Sequence, residues 1–421
     1  MTINKEDKMK LTKYSIGMGD RFGHQAKAQL AVVRKAQKHG VEIAPVWNKS
    51  HREHTIIGSA PAMTKEAVES AIKNSDWDNP YFLDADHIGL ENVSLFIDCC
   101  NYFTLDVADA IGGEIDDKKV LDYVEHCRQY LGHQEIPGLD KKLLLTEEML
   151  INITKKYLPA VEAAAKIYAY IKGKRQDDAI IEVSMDETEA PQTPVELFFI
   201  LEMIAWQGIE ADTIAPKFSG DFYKGVEYVG DEEQFAKEFD EDLAIIKYAI
   251  KEFGLPENLK LSVHSGSDKF AIYPKIRKAI RKYDMGVHLK TAGTSWLEEL
   301  IGLAEAGGEG LAMAKEIYRQ GFAQKEDLCK PYASVIDIDF DALPAPDEVN
   351  DWSSKDYTNA LRHDQSNPAY DRNVRQLLHV SYKVAAKMGE RYLNALRANE
   401  EVIGKHVTEN LFEKHVKPLF W

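Results

Sequence analysis

The sequence predicts an α/β chain folded as a parallel (β/α)8 TIM-like barrel, with a helical insertion and a helical C-terminal extension. Three observations carry this. Short apolar segments ending in Gly, Asp, His or Asn recur along the 421 residues, most of them followed by a helical stretch. Eight short strand-like segments occur in all, the number that closes a parallel sheet into a barrel. Ionisable side chains crowd their C-terminal ends, the face on which barrel enzymes gather their chemistry.

The first strand is read over Tyr14–Asp20, with a helix from His24 to His39 on which Leu30, Val32, Val33 and Ala36 are apolar. The second, Glu42–Asn48, leads to a helix from Met63 to Asn74 with Thr64 as its capping residue. Tyr81–Leu83 and Tyr102–Asp106 are the third and fourth strands. The alternation then breaks. Helical patterns over Lys118–Leu131 and Thr146–Lys172, with a loop from Gly132 to Lys142 between them, read as an insertion or enlarged crossover at about 113–175. It resumes with Ala179–Ser184, the loop Asp186–Thr193 and a helix over Pro194–Gln207. Asp212–Lys217 is the sixth strand, Glu232–Phe253 a helix, Lys260–His264 the seventh strand and Gly286–Lys290 the eighth. Beyond it, Leu297–Gln320 is helical, Pro331–Asp351 is an acidic connector, and Asn373–Asn399 and Glu409–Trp421 are helical. The barrel is expected over 1–300 and the extension, packed on it, over 301–421.

Composition narrows the function. Hydrophobic residues make up 44% and charged residues 29%, as in a globular protein, and the net charge of −17 argues against a nucleic-acid or anionic-membrane partner, which would need a basic face. An anionic small molecule is still admitted, because a few Lys or Arg in a pocket suffice. Cys99, Cys100, Cys127 and Cys329 form no CxxC pair and read as reduced buried thiols. The polar stretch Met1–Lys13 lacks the apolar run of a secretory leader, and no apolar run approaches the roughly 18 residues of a membrane span, so a cytoplasmic location is expected. A homo-oligomer is compatible with all of this.

The strand ends supply the chemistry. Asp84, Asp86 and His87 crowd the end of the third strand, where unpaired charge at a core edge costs several kcal/mol unless it has a use. His87, His264 and His288 converge on the same predicted face, and neutral imidazoles flanked by carboxylates suit a divalent transition metal such as Zn, Mn, Fe or Ni. His126, in the insertion, is a fourth candidate ligand if that segment folds over the mouth; a partly buried helix histidine is the plainer reading. Asp86 is a candidate acid or base beside the metal, against the alternative of a helix cap, and Asp221 a candidate second proton-transfer group, against a turn Asp after Gly220. Arg21, Lys217, Lys269 and Lys290 are candidate partners for a substrate anion.

Asp86-His87 followed by Val263-His-Ser-Gly-Ser267 resembles class II metal-dependent aldolases, although Ser265 stands where that pattern has Gly. Over nearly the whole chain the sequence more closely resembles the tagaturonate/fructuronate epimerase family of hexuronate catabolism. The segments that carry this are Gly17–Gly23, Phe82–His87, Glu182–Glu187, Pro216–Asp221 and Val287–Gly293. The resemblance implies a divalent metal and interconversion of two ketouronates that differ at one hydroxyl-bearing carbon. A sugar or sugar-acid aldolase, or a ketose isomerase, on the same barrel is the alternative activity; a catalytically silent sugar-acid binding protein is the alternative of another class.

Overall fold

The computed structural model describes residues 9–188 and 190–421. Met1–Lys8 of the polar N-terminal stretch, and Glu189 in the loop after the fifth strand, lie outside the described residues. Eight parallel strands close into a barrel. In chain order they are β1 Tyr14–Gly19, β2 Ile43–Ser50, β3 Phe82–Ile88, β4 Tyr102–Asp106, β7 Ile180–Ser184, β8 Thr213–Ala215, β9 Lys260–His264 and β10 Val287–Thr291, with β5 Gly132–Gln134 and β6 Leu143–Leu145 forming a separate antiparallel hairpin. The barrel closes where Tyr14 pairs with Val287, and each of the eight predicted strands is one of its staves.

Strand alternation divides the side chains between two cores. Ala44, Val46, Phe82, Tyr102 and Ile180 point into the barrel and, with Leu11 beneath them, plug its lower end. Their neighbours, such as Trp47, Leu83, Ala85, Phe103, Ile181 and Val183, point outward and pack under the helices in a continuous second core. Each fully buried aliphatic or aromatic side chain of this kind contributes about 1.5–3 kcal/mol. Above the plug the lumen is polar, and that is where the site lies.

The helical layer comprises α1 Ala26–Lys38, α2 His51–Ile57, α3 Pro61–Lys73, α4 Asp117–His126, α5 Glu147–Arg175, α6 Pro194–Trp206, α7 Glu232–Glu252, α8 Tyr273–Tyr283 and α9 Thr294–Ala306. Several boundaries differ from expectation for local reasons. Helix α3 starts three residues before Thr64, with Pro61 in the first turn, where its missing N–H costs nothing. The stretch 132–145, read mostly as a loop, pairs into the hairpin. Helices α2 and α8 are additions; α8 buries Tyr273, Ile276, Ala279, Ile280 and Tyr283 along one face of a Lys- and Arg-rich segment. The single helix expected over Leu297–Gln320 is two, broken at Gly307 and Gly308, both at positive φ.

The C-terminal helices dock on the barrel by specific contacts. Buried Asp268, just past β9, accepts from Arg375 at 2.6 Å and from Thr294 at 3.1 Å, with His363 Nδ1 at 3.3 Å and His415 Nε2 at 3.5 Å. Arg21, just past β1, donates to the carbonyl of His379 at 3.1 Å, and Trp296 on α9 to that of Leu378 at 2.8 Å. Gly302 lets helix Glu400–Glu409 approach α9: a Cβ there would meet Ile403 Cγ1 at 2.7 Å.

Candidate active site

The polar half of the lumen begins with β3, which runs well past the expected Leu83, so Asp84 and Asp86 are interior rungs and not residues beyond its end. Alternation alone would aim His87 away from Asp86. Instead His87 has φ +52°, and the β3–β4 register shifts between Ala85 and Ile88. This bulge turns the imidazole back toward the mouth, a use to which bulges beside active sites are often put. His87 Nε2 lies 3.7 Å from Asp86 and Nδ1 3.5 Å from Asp106, and its ring centroid is 5.2 Å from that of His264.

His264 ends β9 and is held on both nitrogens, by Glu182 at 2.8 Å and Asp186 at 3.0 Å. Glu182 is the hub of the layer below, accepting from Tyr102, Thr213 and Thr104 at 2.8, 2.7 and 3.2 Å. Lys290, on β10, sits among Asp84, Asp86 and Glu182 at 2.8, 2.9 and 3.2 Å, and donates to Thr104 at 2.6 Å. Beside His87 a cavity of about 330 Å³ opens toward Glu91, Asp106, Asp109 and Lys166, a size suited to a small organic ligand.

The charges are strongly coupled. Burial opposes ionisation of His87 and His264, yet Asp86 and Asp106 carry the first up to about 9, and Asp186 and Glu182 the second up to about 10. Burial raises Asp84 to about 7 despite Lys290. For Asp86 burial acts upward too, but Lys290 and His87 outweigh it and hold the carboxyl below its ordinary value. Burial likewise opposes charge on Lys290, and its three carboxylates keep it well above the usual lysine range.

This donor set fits a metal. One ligand atom each from His87, Asp186 and His264 lie within 4.8 Å of one another, and buried His87 Nδ1 has no hydrogen-bond partner. Asp84, Asp86 and Glu182 surround Lys290, while Asp106 and Asp186 face His87 and His264, so the carboxylates outnumber the one permanent cation and a divalent ion would offset the surplus when the imidazoles are neutral. Two imidazoles and a carboxylate suit a first-row transition metal.

The other predicted residues stand apart from this cluster. His288 is one rung below the mouth, because its β9 neighbour is Ser262, whereas Lys290 pairs with His264. It is fully buried, bonded to Ser15 at 2.9 Å, and burial lowers it to about 3. His126 is in the outer helical layer, with Nε2 2.6 Å from Glu202 and its ring stacked on Trp206; with Cys127 and Glu202 it makes a separate ligand-like group away from the lumen. Asp221 is exposed and bridges Val229 through its backbone, with no contact to Asp86. Lys269 is buried, and its ammonium is consumed by the carbonyls of Val226, Tyr223 and Asp268 at 2.7, 2.9 and 3.3 Å. Lys217 is half-buried, its backbone N–H bonded to Gln192 at 2.7 Å. Arg21 pairs with Glu53 at 3.0 Å and lies 4.0 Å over the Tyr382 ring. Asp186 is the residue that the choice of ligands from histidines alone overlooks. Its signal is the period-two spacing of Glu182, Ser184 and Asp186, which carries all three to the same side of β7 and its extension.

A family profile described as tagaturonate epimerase matches residues 2–419. The tagaturonate/fructuronate epimerase of Thermotoga maritima is 29% identical over 417 residues, which are 96% of this chain and 80% of that protein. The fructuronate-tagaturonate epimerase of Cohnella laeviribosi has the same fold. Its crystal structures, one with a single glycerol bound and one native, give TM-scores of 0.80 and 0.78 at 22% identity, over 98% of this chain and 82% of theirs.

Proposed function

Starting from a chain that belongs to the tagaturonate epimerase family, we propose that it interconverts D-tagaturonate and D-fructuronate, with a divalent transition metal, by a retro-aldol and aldol route in the cytoplasm. The observation that carries this reading is the grouping of His87, Asp186 and His264 at the barrel mouth beside Asp86. The inverted carbon is two bonds from the ketone, so simple enolisation does not reach it. Breaking and remaking the carbon–carbon bond between them does.

His87, Asp186 and His264 would hold the divalent metal, which would supply Lewis-acid chemistry to the substrate when bound. The chain's own groups do the rest. Asp86, kept ionised by Lys290 at 2.9 Å, takes the proton of the reacting hydroxyl. The carbon–carbon bond breaks, its electron pair passing to the ketone side as an enediolate, and leaves an aldehyde fragment. Rotation of the aldehyde presents its other face, the bond re-forms, and the proton returns to the new alkoxide. Lys290 keeps Asp86 aimed into the lumen, while Glu182, saturated by Tyr102, Thr213 and Thr104, fixes His264 from below.

The test pairs elemental analysis of the purified protein with NMR of tagaturonate incubated with the metal-loaded enzyme. A stoichiometric transition metal and growth of fructuronate signals, both lost in His264→Ala, are the expected result. Accumulation of two cleavage products redirects the reading to an aldolase. Absence of both metal and turnover removes the catalytic assignment.

A further inference from the structure

Cations gather at a second place on the mouth, none of them in an ion pair among the described residues. Arg52 follows β2, Lys224 lies in the loop after β8, and Lys383 comes from the C-terminal helix Tyr382–Met388. All three meet the buried ring of Tyr332, at 5.3, 5.5 and 4.8 Å from its centroid. The Tyr332 hydroxyl is bonded to that of Tyr382 at 2.9 Å, and Arg21 rests on the Tyr382 ring. Arg21 has Glu53 as a partner; Arg52, Lys224 and Lys383 make no ion pair among the described residues. Like charges drawn together this way repel one another, which the faces of two tyrosines offset only in part. A bound anion removes the conflict.

Two further observations point to a ligand. His379, 1% exposed, has no hydrogen-bond partner on either ring nitrogen; its Cβ and Cδ2 border Gly225, the residue after Lys224, and its Nε2 faces Gly293, just past β10. Burial, then Arg21 and Lys224, keep it neutral and therefore able to accept or donate one hydrogen bond. In addition, Glu187, the residue after Asp186, and Glu53 both act on the charge of Lys224, so the loop after β7 that carries Asp186 reaches toward this group.

We propose that Arg52, Lys224 and Lys383, assembled on Tyr332, form the subsite that holds the carboxylate of the substrate and makes the enzyme select sugar acids over neutral ketoses. This rests on the epimerase reading for the identity of the acid, and it replaces Lys217 and Lys269 as anion partners. It also gives the extension a role in recognition, since two of the four groups belong to it.

The experiment is calorimetric titration of metal-loaded wild type, Lys224→Gln and Lys383→Gln with two probes, D-tagaturonate and D-tagatose, alongside turnover of each. Wild type is expected to bind the acid at least tenfold more tightly than the neutral sugar, and each variant to lose most of that ratio, with KM for the acid rising more than kcat falls. Two variants on separate elements guard against one that fails to fold. An unchanged ratio in both folded variants, or a wild type without preference for the acid, overturns the subsite. A wild type that prefers the acid but does not epimerise it overturns the activity and leaves the subsite standing.

Discussion

Replacing Arg375 with methionine tests whether the extension is fastened to the barrel by one buried charge. Asp268 and Arg375 are both fully buried, 2.6 Å apart, and Arg375 also donates to the carbonyls of Gly225 and Leu361. Removing one member of such a pair leaves the other as an uncompensated buried charge, at a cost of about 3–5 kcal/mol. The two orphaned carbonyls add to this, while His363 and His415, already 3.3 and 3.5 Å from Asp268, reduce it where they take up a proton. A loss of about 4 kcal/mol at pH 7 follows, smaller at pH 5. Urea denaturation of wild type, Arg375→Met, Asp268→Asn and the double variant measures it, with the slope checked so that a shifted midpoint reads as stability. The double variant is expected to lose less than the sum of the singles by about 2 kcal/mol or more. A loss under about 1 kcal/mol for Arg375→Met, or strict additivity, refutes the reasoning.

Three further outcomes follow from buried groups. Glu299 is bonded by Gln25 and Tyr392, and burial followed by Asp20 raises it to about 8. Its folded value lies above its unfolded one, so its contribution is full below about pH 4.5 and is lost as pH rises through 8; Tm of Glu299→Gln should fall less between pH 5 and 8.5 than that of wild type. Lys290→Met leaves Asp84, Asp86 and Glu182 facing one another, so chelator-treated variant protein should be destabilised by about 3–5 kcal/mol at pH 7 and recover on acidification, as a thermal scan at pH 7 and 5 reads directly. Gly302→Ala places a methyl against Ile403 and should cost about 1–3 kcal/mol in urea, with the barrel strands keeping their circular dichroism.

The strands were legible because period-two apolar runs and strand-end charges are local signals, and each predicted stave is found within a few residues of its place. Helix α8 was hidden because Lys and Arg fill its outer face, although Tyr273, Ile276, Ala279, Ile280 and Tyr283 keep helical spacing. The histidines show the limit of local pattern. His264 and His288 each stand near the end of an apolar strand, but β10 runs three residues past His288 and places it a rung deeper. Depth is a property of register across strands, which no single segment encodes. The grouping of Arg52, Lys224 and Lys383 is further still from the sequence, since 331 positions separate the first from the last and only packing of the extension unites them.

The left-handed backbone at His87 has a bearing on how this protein can change over time. Few side chains accept that conformation, and Asn and Gly are among those that do. Drift at this one position therefore has a narrow channel: Asp would keep a metal-binding carboxylate, whereas Asn and Gly would keep the bulge without such a donor. On the proposed metal role of His87, a change to Asn or Gly here would remove a ligand while keeping the barrel. On that same proposal, His87→Asn is the variant expected to keep the fold, lose the metal and still bind the substrate.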